Sequence, residues 1–339
     1  MKLGKIIIAS IFTVLCIGLT GCDFNADTPY EREIFALDTF INLKIYGANG
    51  EENAELAEEK ITELEALLSV TNPGSDISRI NSHNSDITKV SVDTVNVIQA
   101  ALDISQRTDG AFDISIYPVV KLWGFTTGEN SVPSQSEINK ALELVDFGKI
   151  SVHNGTVSLE ENMQIDLGAI AKGYIAQQVT ELIKQNGTES AVLSFGGNIQ
   201  TVGLKNGEKW KIGLKYPDTQ DNYAILSVGE VSIVTSAADQ RYFEENGVRY
   251  HHIIDPSTGC PAESGIESVT VVCDDGTKAD GLSTALFVMG IEKASELYRC
   301  SNDFDFVILY DNTVYVTGGL ADSIEFTEEY DYLNTEIIY

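Results

Sequence analysis

Basic residues are scarce in this chain of 339: 22 Lys and Arg stand against 51 Asp and Glu, with only four His, and the net charge is −29. Such a surface repels a phosphate backbone, which excludes nucleic acid as a partner. It also sets a condition on any phosphate-bearing ligand, whose charge must be offset by a metal cation, a lysine or helix N-termini. Cysteine is sparse too. Of five, Cys16 and Cys22 fall in the N-terminal segment, and Cys260, Cys273 and Cys300 can close at most one bridge. A disulfide framework is therefore excluded, and no Cys-x-x-Cys pair or Cys/His spacing suggests zinc. The chain has no Gly-x-Ser-x-Gly elbow and no Gly-x-Gly-x-x-Gly after a strand, which argues against a serine hydrolase and a dinucleotide fold.

What is present begins at the N-terminus. Lys2 and Lys5 precede an uncharged run from Ile6 to Leu19 that ends in Leu19-Thr20-Gly21-Cys22. A basic start, a short apolar core and small residues before a cysteine are the pattern of a lipoprotein signal peptide, too short to span a bilayer. Residues 1–21 are expected to be removed and Cys22 to carry the lipid, which anchors the protein to the cell membrane on its extracytoplasmic face. Residues 22–29 would form a tether, and residues 30–339 the folded part. Cleavage leaves 318 residues with a net charge of −31, more chain than one compact core usually takes, so two subdomains or one elaborated domain are expected. No later segment could span a membrane.

The folded part reads as α+β. Thr39 to Tyr46 alternates, with Ile41, Leu43 and Ile45 on one face, and an amphipathic helix follows on Ala54, Ala57, Ile61, Leu64 and Leu68. Further helices are predicted from Val92 to Arg107, around Ile138, Leu142 and Val145, from Lys172 to the Gly187 cap, and from Asp280 to Met289. Strands dominate the second half: 191–195, 210–214, 224–228, 231–235, 250–254, 269–272, 306–309 and 314–317. Helices and strands in runs, joined by turn-length links, argue for mainly antiparallel sheets packed with helices rather than a doubly wound parallel sheet.

Several stretches could carry chemistry. Gln164 to Tyr174 reads as an apolar strand ending at Asp166, a glycine at 168, and a small-residue helix start with Lys172 in its first turns. This is either an anion or phosphate site with free N–H groups, or a capped helix with a solvated lysine. Asp280 and Thr284, four residues apart, face one way and suit magnesium; alternatively Asp280 caps its helix and Thr284 bonds back to a carbonyl. His251-His252 ends a strand before the rigid Asp255-Pro-Ser-Thr-Gly259-Cys-Pro261 loop. One of the two histidines could act as general base, oriented by Asp255, or the loop could be purely structural. Gly110 to Phe125 sets aromatics beside Asp113, as either a ring-binding wall or core.

In their order along the chain these segments resemble the ApbE family of flavin transferases. The matching stretches are 64–69 with 75–81, 110–125, 164–174, 194–198, 210–217, 234–236, 251–261 and 268–290, nearly all of the chain beyond the signal. The resemblance implies a two-subdomain ApbE-like fold and a magnesium-dependent transfer of FMN from FAD to a Thr or Ser hydroxyl of an extracytoplasmic acceptor protein, with AMP leaving. It implies metal binding by Asp280, Thr284 and the backbone carbonyl of Ala169; FAD contacts from Ala111, Phe112, Asp113, Asp166 and Lys172; and a general base at His252. Acceptors would be flavoproteins of extracytoplasmic electron transport.

Two positions depart from the family. Thr71 stands where many members place an aromatic able to stack on the nucleotide, and Ala237-Ala-Asp-Gln240 replaces a Gly, Asp/Asn, aromatic run. The first leaves room for hydrolysis of FAD to FMN and AMP, or for a non-catalytic FAD-binding lipoprotein. Asp255-Pro-Ser-Thr-Gly259 partly resembles the acceptor motif Asp-x-x-Ser/Thr-Gly-Ala-Ser/Thr, but Cys260-Pro261 replaces its last two positions, which argues against self-flavinylation.

Overall fold

The computed structural model describes residues 28–82 and 87–339. The segment read as a signal peptide, the proposed lipidation site Cys22 and most of the tether lie outside the described residues. No described helix is long and apolar enough to cross a membrane.

A nine-stranded sheet organises the chain. Its strands run, in spatial order, Tyr30–Ala36, Thr39–Ile45, Ser190–Phe195, Asn198–Gly203, Ser232–Ala237, Ile266–Cys273, Asp305–Tyr310, Thr313–Thr317 and Asn334–Ile338. Every neighbouring pair is antiparallel except the last, which is parallel. The alternation predicted for Thr39–Ile45 holds: Ile41, Leu43 and Ile45 are fully buried and the residues between them exposed. Towards the middle the sheet is covered on both faces, so its strands read as continuous apolar runs. In Asp305–Tyr310, Phe306 and Ile308 face the helical layer, whereas Val307 and Leu309 face a three-stranded sheet of Trp210–Lys215, Asn222–Val228 and Ile324–Phe326.

Four longer helices form the first layer: Gly50–Leu68, Val92–Arg107, Ala171–Gln185 and Gly276–Arg299. The second has the bounds predicted, because Ser91 caps it through Thr94 N–H (3.1 Å) and Gly110 closes its exit with a φ of 77°. The last is longer than the expected 280–289. It starts after Asp275, whose carboxylate accepts from the N–H groups of Thr277 (2.8 Å) and Lys278 (3.1 Å), and it runs past a break at Gly290. A separate apolar cluster of Val119, Trp123, Phe125, Ile138, Ala141 and Ile254 ties the short helices Tyr117–Trp123 and Gln135–Leu142 to the loop after His252. Cys260, Cys273 and Cys300 are all free thiols.

Candidate active site

Two helices crossing on the sheet create the site. A Cβ at Gly173 would lie 2.1 Å from the Gly276 carbonyl oxygen and 2.5 Å from Asp280 Cβ, so Ala171–Gln185 and Gly276–Arg299 approach to a distance only glycine permits. This contact brings Asp280 beneath the start of the neighbouring helix. Gly173 N–H donates to Asp280 Oδ2 (2.8 Å) rather than to the Ala169 carbonyl one turn back.

The capping reading of Asp280 is therefore incorrect, since Asp275 is the cap and Asp280 sits in the second turn. Asp280 is buried, and burial pushes its carboxyl above the usual range. Nearby Lys172, the Gly173 N–H and the Asn198 side chain pull it back down. The back-bonding reading of Thr284 fails as well. Ser283 Oγ takes the Asp280 carbonyl instead (2.8 Å) and pairs with Ser236 Oγ (2.8 Å), while the half-buried Thr284 hydroxyl has no hydrogen-bond partner among the described residues. A buried carboxylate and a hydroxyl with no partner among the described residues thus share one helix face, and the carbonyl of Ala169, just before the Ile170 cap of the neighbouring helix, accepts from no backbone N–H among the described residues. Among the described residues no three His, Cys, Asp or Glu side chains gather as a metal site. A site here would draw on one carboxylate, one hydroxyl and one carbonyl, an all-oxygen set suited to a hard cation that keeps several waters.

Asp166 is not delivered by a strand, as expected, but by an irregular extended segment. Asn81 replaces the missing strand partner: its side chain accepts from Ile165 N–H (2.8 Å) and donates to Ile165 carbonyl (2.8 Å). Asp166 N–H then donates to Ile114 carbonyl (2.9 Å). The half-buried Asp166 carboxylate faces the N–H groups of Leu167 and Gly168. Burial raises its pKa, and these donors together with Lys172 and Arg241 oppose the rise. The helix start offers fewer free N–H groups than expected, because Ala171 N–H binds Leu167 carbonyl (2.8 Å) and Gly173 N–H binds Asp280. Positive charge near the site comes instead from Lys172, which makes no ion pair within 4 Å among the described residues, and from Arg241.

His252 lies within reach of the charges of Lys172 and Arg241. Its Nδ1 lies 3.0 Å from the Arg241 carbonyl, which can only accept, so Nδ1 carries the hydrogen and Nε2 keeps its lone pair. Burial is the main cause that pushes its pKa down to about 4, helped by the charges of Lys172 and Arg241. Asp255 does not orient it, contrary to expectation: its Oδ1 accepts from Ser257 N–H (2.8 Å) and Ser257 Oγ (2.7 Å), making the loop a self-contained turn. His251 points the other way, its Nε2 3.1 Å from Ala262 carbonyl and its ring edge-on to Phe287.

The segment 111–113 is folded inward. Phe112 belongs to the main core. Asp113 Oδ1 accepts from Ser115 N–H (2.7 Å) and Oγ (2.6 Å), and its Oδ2 accepts from Phe147 N–H (3.1 Å). Burial nonetheless raises its pKa. Any contact with a nucleotide falls to the backbone of this segment and to half-buried Ala111. Thr71 is exposed, with its hydroxyl 3.1 Å from Ser69 Oγ. Two cavities, of about 230 and 350 Å³, lie elsewhere, beside Asn53 and beside Arg299.

Sequence reasoning missed Asn81, the Gly173/Gly276 contact, Asn198 and the Ser236–Ser283 pair. Only the glycines left a local trace, as residues of low helix propensity inside helices.

These features describe an α+β protein in which Lys172 lies near both an oxygen-rich helix crossing and a neutral histidine. The model of the ApbE family matches residues 37–308, and the chain belongs to that family. It is 32% identical to the FAD:protein FMN transferase of Treponema pallidum over 94% of each chain, and 33% identical to that of Escherichia coli K12 over 82% of this chain and 86% of the other. The crystal structure of the ApbE protein from Thermotoga maritima superposes with a TM-score of 0.80 at 33% identity, covering 91% of this chain and all of that one. The flavin transferase ApbE from Vibrio cholerae gives 0.76 at 27% identity, covering 90% of this chain and 98% of the other.

Proposed function

We propose that this chain transfers FMN from FAD to a Thr or Ser hydroxyl of an acceptor protein in a magnesium-dependent reaction that releases AMP. The observation that carries the reading is buried Asp280 one turn from a Thr284 hydroxyl that has no partner among the described residues, at the Gly173 crossing. Their oxygens, with the carbonyl of Ala169, would hold the cation. When bound, it would offset charge on the pyrophosphate and on the departing AMP.

The protein's own groups do the rest. His252 Nε2, neutral and unprotonated at neutral pH, accepts the proton of the acceptor hydroxyl. The hydroxyl oxygen bonds to the FMN phosphorus as the bond from that phosphorus to the bridging oxygen breaks, and AMP leaves with that oxygen. Lys172 supplies fixed positive charge beside Asp166 and Asp280, in a chain otherwise strongly acidic. The lipid at Cys22 would hold this site at the extracytoplasmic face of the membrane, where flavoproteins of electron transport are the acceptors.

The test is incubation of the full-length protein with FAD, magnesium and an acceptor carrying Asp-x-x-Ser/Thr-Gly-Ala-Ser/Thr. The expected result is flavin that stays on the acceptor through denaturation, at a mass matching FMN, with AMP formed in equal amount. AMP release with no covalent flavin on any such acceptor would favour the second reading, an FAD pyrophosphatase. That reading draws on exposed Thr71, which offers no stacking face to retain the nucleotide. No AMP at all would overturn both.

A further inference from the structure

We infer that Asn81 is a positioning residue for FAD binding, acting through Asp166; the inference rests on the proposed flavin transfer for its ligand. Asn81 lies in the last turn of the short helix Asp76–Ser82, 84 residues before the segment it holds. Its side-chain amide makes two hydrogen bonds of 2.8 Å to one residue, accepting from Ile165 N–H and donating to Ile165 carbonyl. That is the bond pattern of one residue of a strand partner, supplied by a side chain where no strand is available. Ile165 itself is fully buried, so the clamp fixes the segment on its core side while Asp166 remains half-buried. The Asn81 carbonyl is also approached by Gln164 Nε2 (3.5 Å), and Asp166 N–H is held by Ile114.

Without the clamp, residue 165 loses both backbone partners at once. The buried helix beyond is anchored separately by the Gly173 crossing. The expected consequence is therefore local: residues 164–168 loosen while the fold stays. Asp166 and the Ala169 carbonyl then meet the ligand from a broader range of positions, and affinity falls before the chemical step does.

The experiment compares full-length wild type with Asn81→Ala and Asn81→Asp. The Asp variant keeps an acceptor for Ile165 N–H but turns an oxygen towards Ile165 carbonyl. FAD affinity is measured by flavin fluorescence with the metal chelated, and amide exchange across 160–172 by mass spectrometry. The expected result is a loss of FAD affinity of about tenfold for Asn81→Ala, the scale of two lost backbone hydrogen bonds. Exchange should speed up at 164–168 and stay unchanged in the core strands, and Asn81→Asp should give the same pattern. In an Asp166→Ala background the further loss on removing Asn81 should shrink to about twofold or less.

An equal loss with and without Asp166, or unchanged exchange at 164–168, would overturn the role. Should Asn81→Ala fail to fold, Asn81→Asp carries the same comparison. If wild type binds no FAD, the proposed function falls, and the exchange measurement still decides whether Asn81 holds the segment.

Discussion

Asp113 and Asp280 are both buried carboxylates with a hydroxyl residue shortly after, yet one is closed and the other open. At Asp113 the spacing of two lets the side chain fold onto its own chain: Oδ1 takes both the N–H and the hydroxyl of Ser115, and Oδ2 takes Phe147 N–H. Asp255 and Ser257 repeat the arrangement at the surface. At Asp280 the spacing is four and lies within a helix, so carboxylate and hydroxyl share one face, and the Asp280 carbonyl that a hydroxyl one turn on could take is bonded by Ser283 Oγ instead (2.8 Å). The Gly173 N–H satisfies one carboxylate oxygen, and Thr284 is left without a partner among the described residues. Burial raises both acids, but Asp113 already accepts three hydrogen bonds from its own protein and Asp280 one, which leaves Asp280 more capacity for a ligand. The two regions differ in spacing and in what crosses them, not in composition.

The strongest way to break this contrast is to remove the crossing. Gly173→Ala sets a methyl against a backbone carbonyl and Asp280 Cβ at distances no rotamer can relieve. The two helices must separate, and we expect a loss of stability of about 3 kcal/mol or more together with loss of flavin transfer. Denaturant unfolding checks the first and acceptor flavinylation the second. Near-native stability would mean that the helices do not meet as closely as described.

Removing the open acid should separate activity from stability. Asp280→Ala is expected to lower turnover by about a hundredfold or more while the melting temperature changes little, because losing a desolvated carboxylate offsets the stranding of the buried Gly173 N–H. Thr284→Val should follow with about a tenfold loss and almost no change in stability, since its hydroxyl has no hydrogen-bond partner among the described residues. Thr284→Ser should restore most of the activity. If Val and Ser behave alike, the hydroxyl is not a ligand.

The closed acid should answer in the opposite way. Ser115→Ala removes the donor to Asp113 and strands Asp146 N–H, which now rests on Ser115 Oγ (2.9 Å). The expected cost is about 1–3 kcal/mol of stability, with FAD turnover per folded molecule close to wild type. A large loss of turnover at full stability would show that Asp113 serves the site after all.

Much of this was legible in the sequence, because many signals are local. The apolar alternation of Thr39–Ile45 and the full extent of Val92–Arg107 follow from residues within a few positions of each element. The ordered motifs brought Asp166, Lys172, His252, Asp280 and Thr284 together before any coordinates did. What was illegible was long-range pairing. Asn81 reaches Ile165 across 84 positions, and Gly173 meets Gly276 across more than a hundred. Neither partner carries a mark of the other, and Asn198–Gly203 became a strand only because strands on both sides accept it. The reading of free N–H groups at the Ala171 helix erred in part for the same reason: Ala171 N–H finds Leu167 carbonyl nearby, but the acceptor of Gly173 N–H lies on a helix a hundred residues away.

The subtlest contrast concerns His252, whose chemistry depends on being neutral. Folding lowers its pKa from an ordinary 6.5 to about 4, mainly through burial. Between those values the unfolded chain binds a proton that the folded chain does not. Its contribution to stability is therefore complete above pH 6.5 and is lost as pH falls towards 4. A His252→Gln variant should flatten this part of the stability curve while changing stability little at pH 8. In wild type the acid limb of flavin transfer should lie well below the usual histidine range, provided the metal site remains loaded. An acid limb near pH 6.5 at saturating magnesium would mean that the ring is solvated in the working enzyme, and that the Arg241 carbonyl fixes its orientation without fixing its charge.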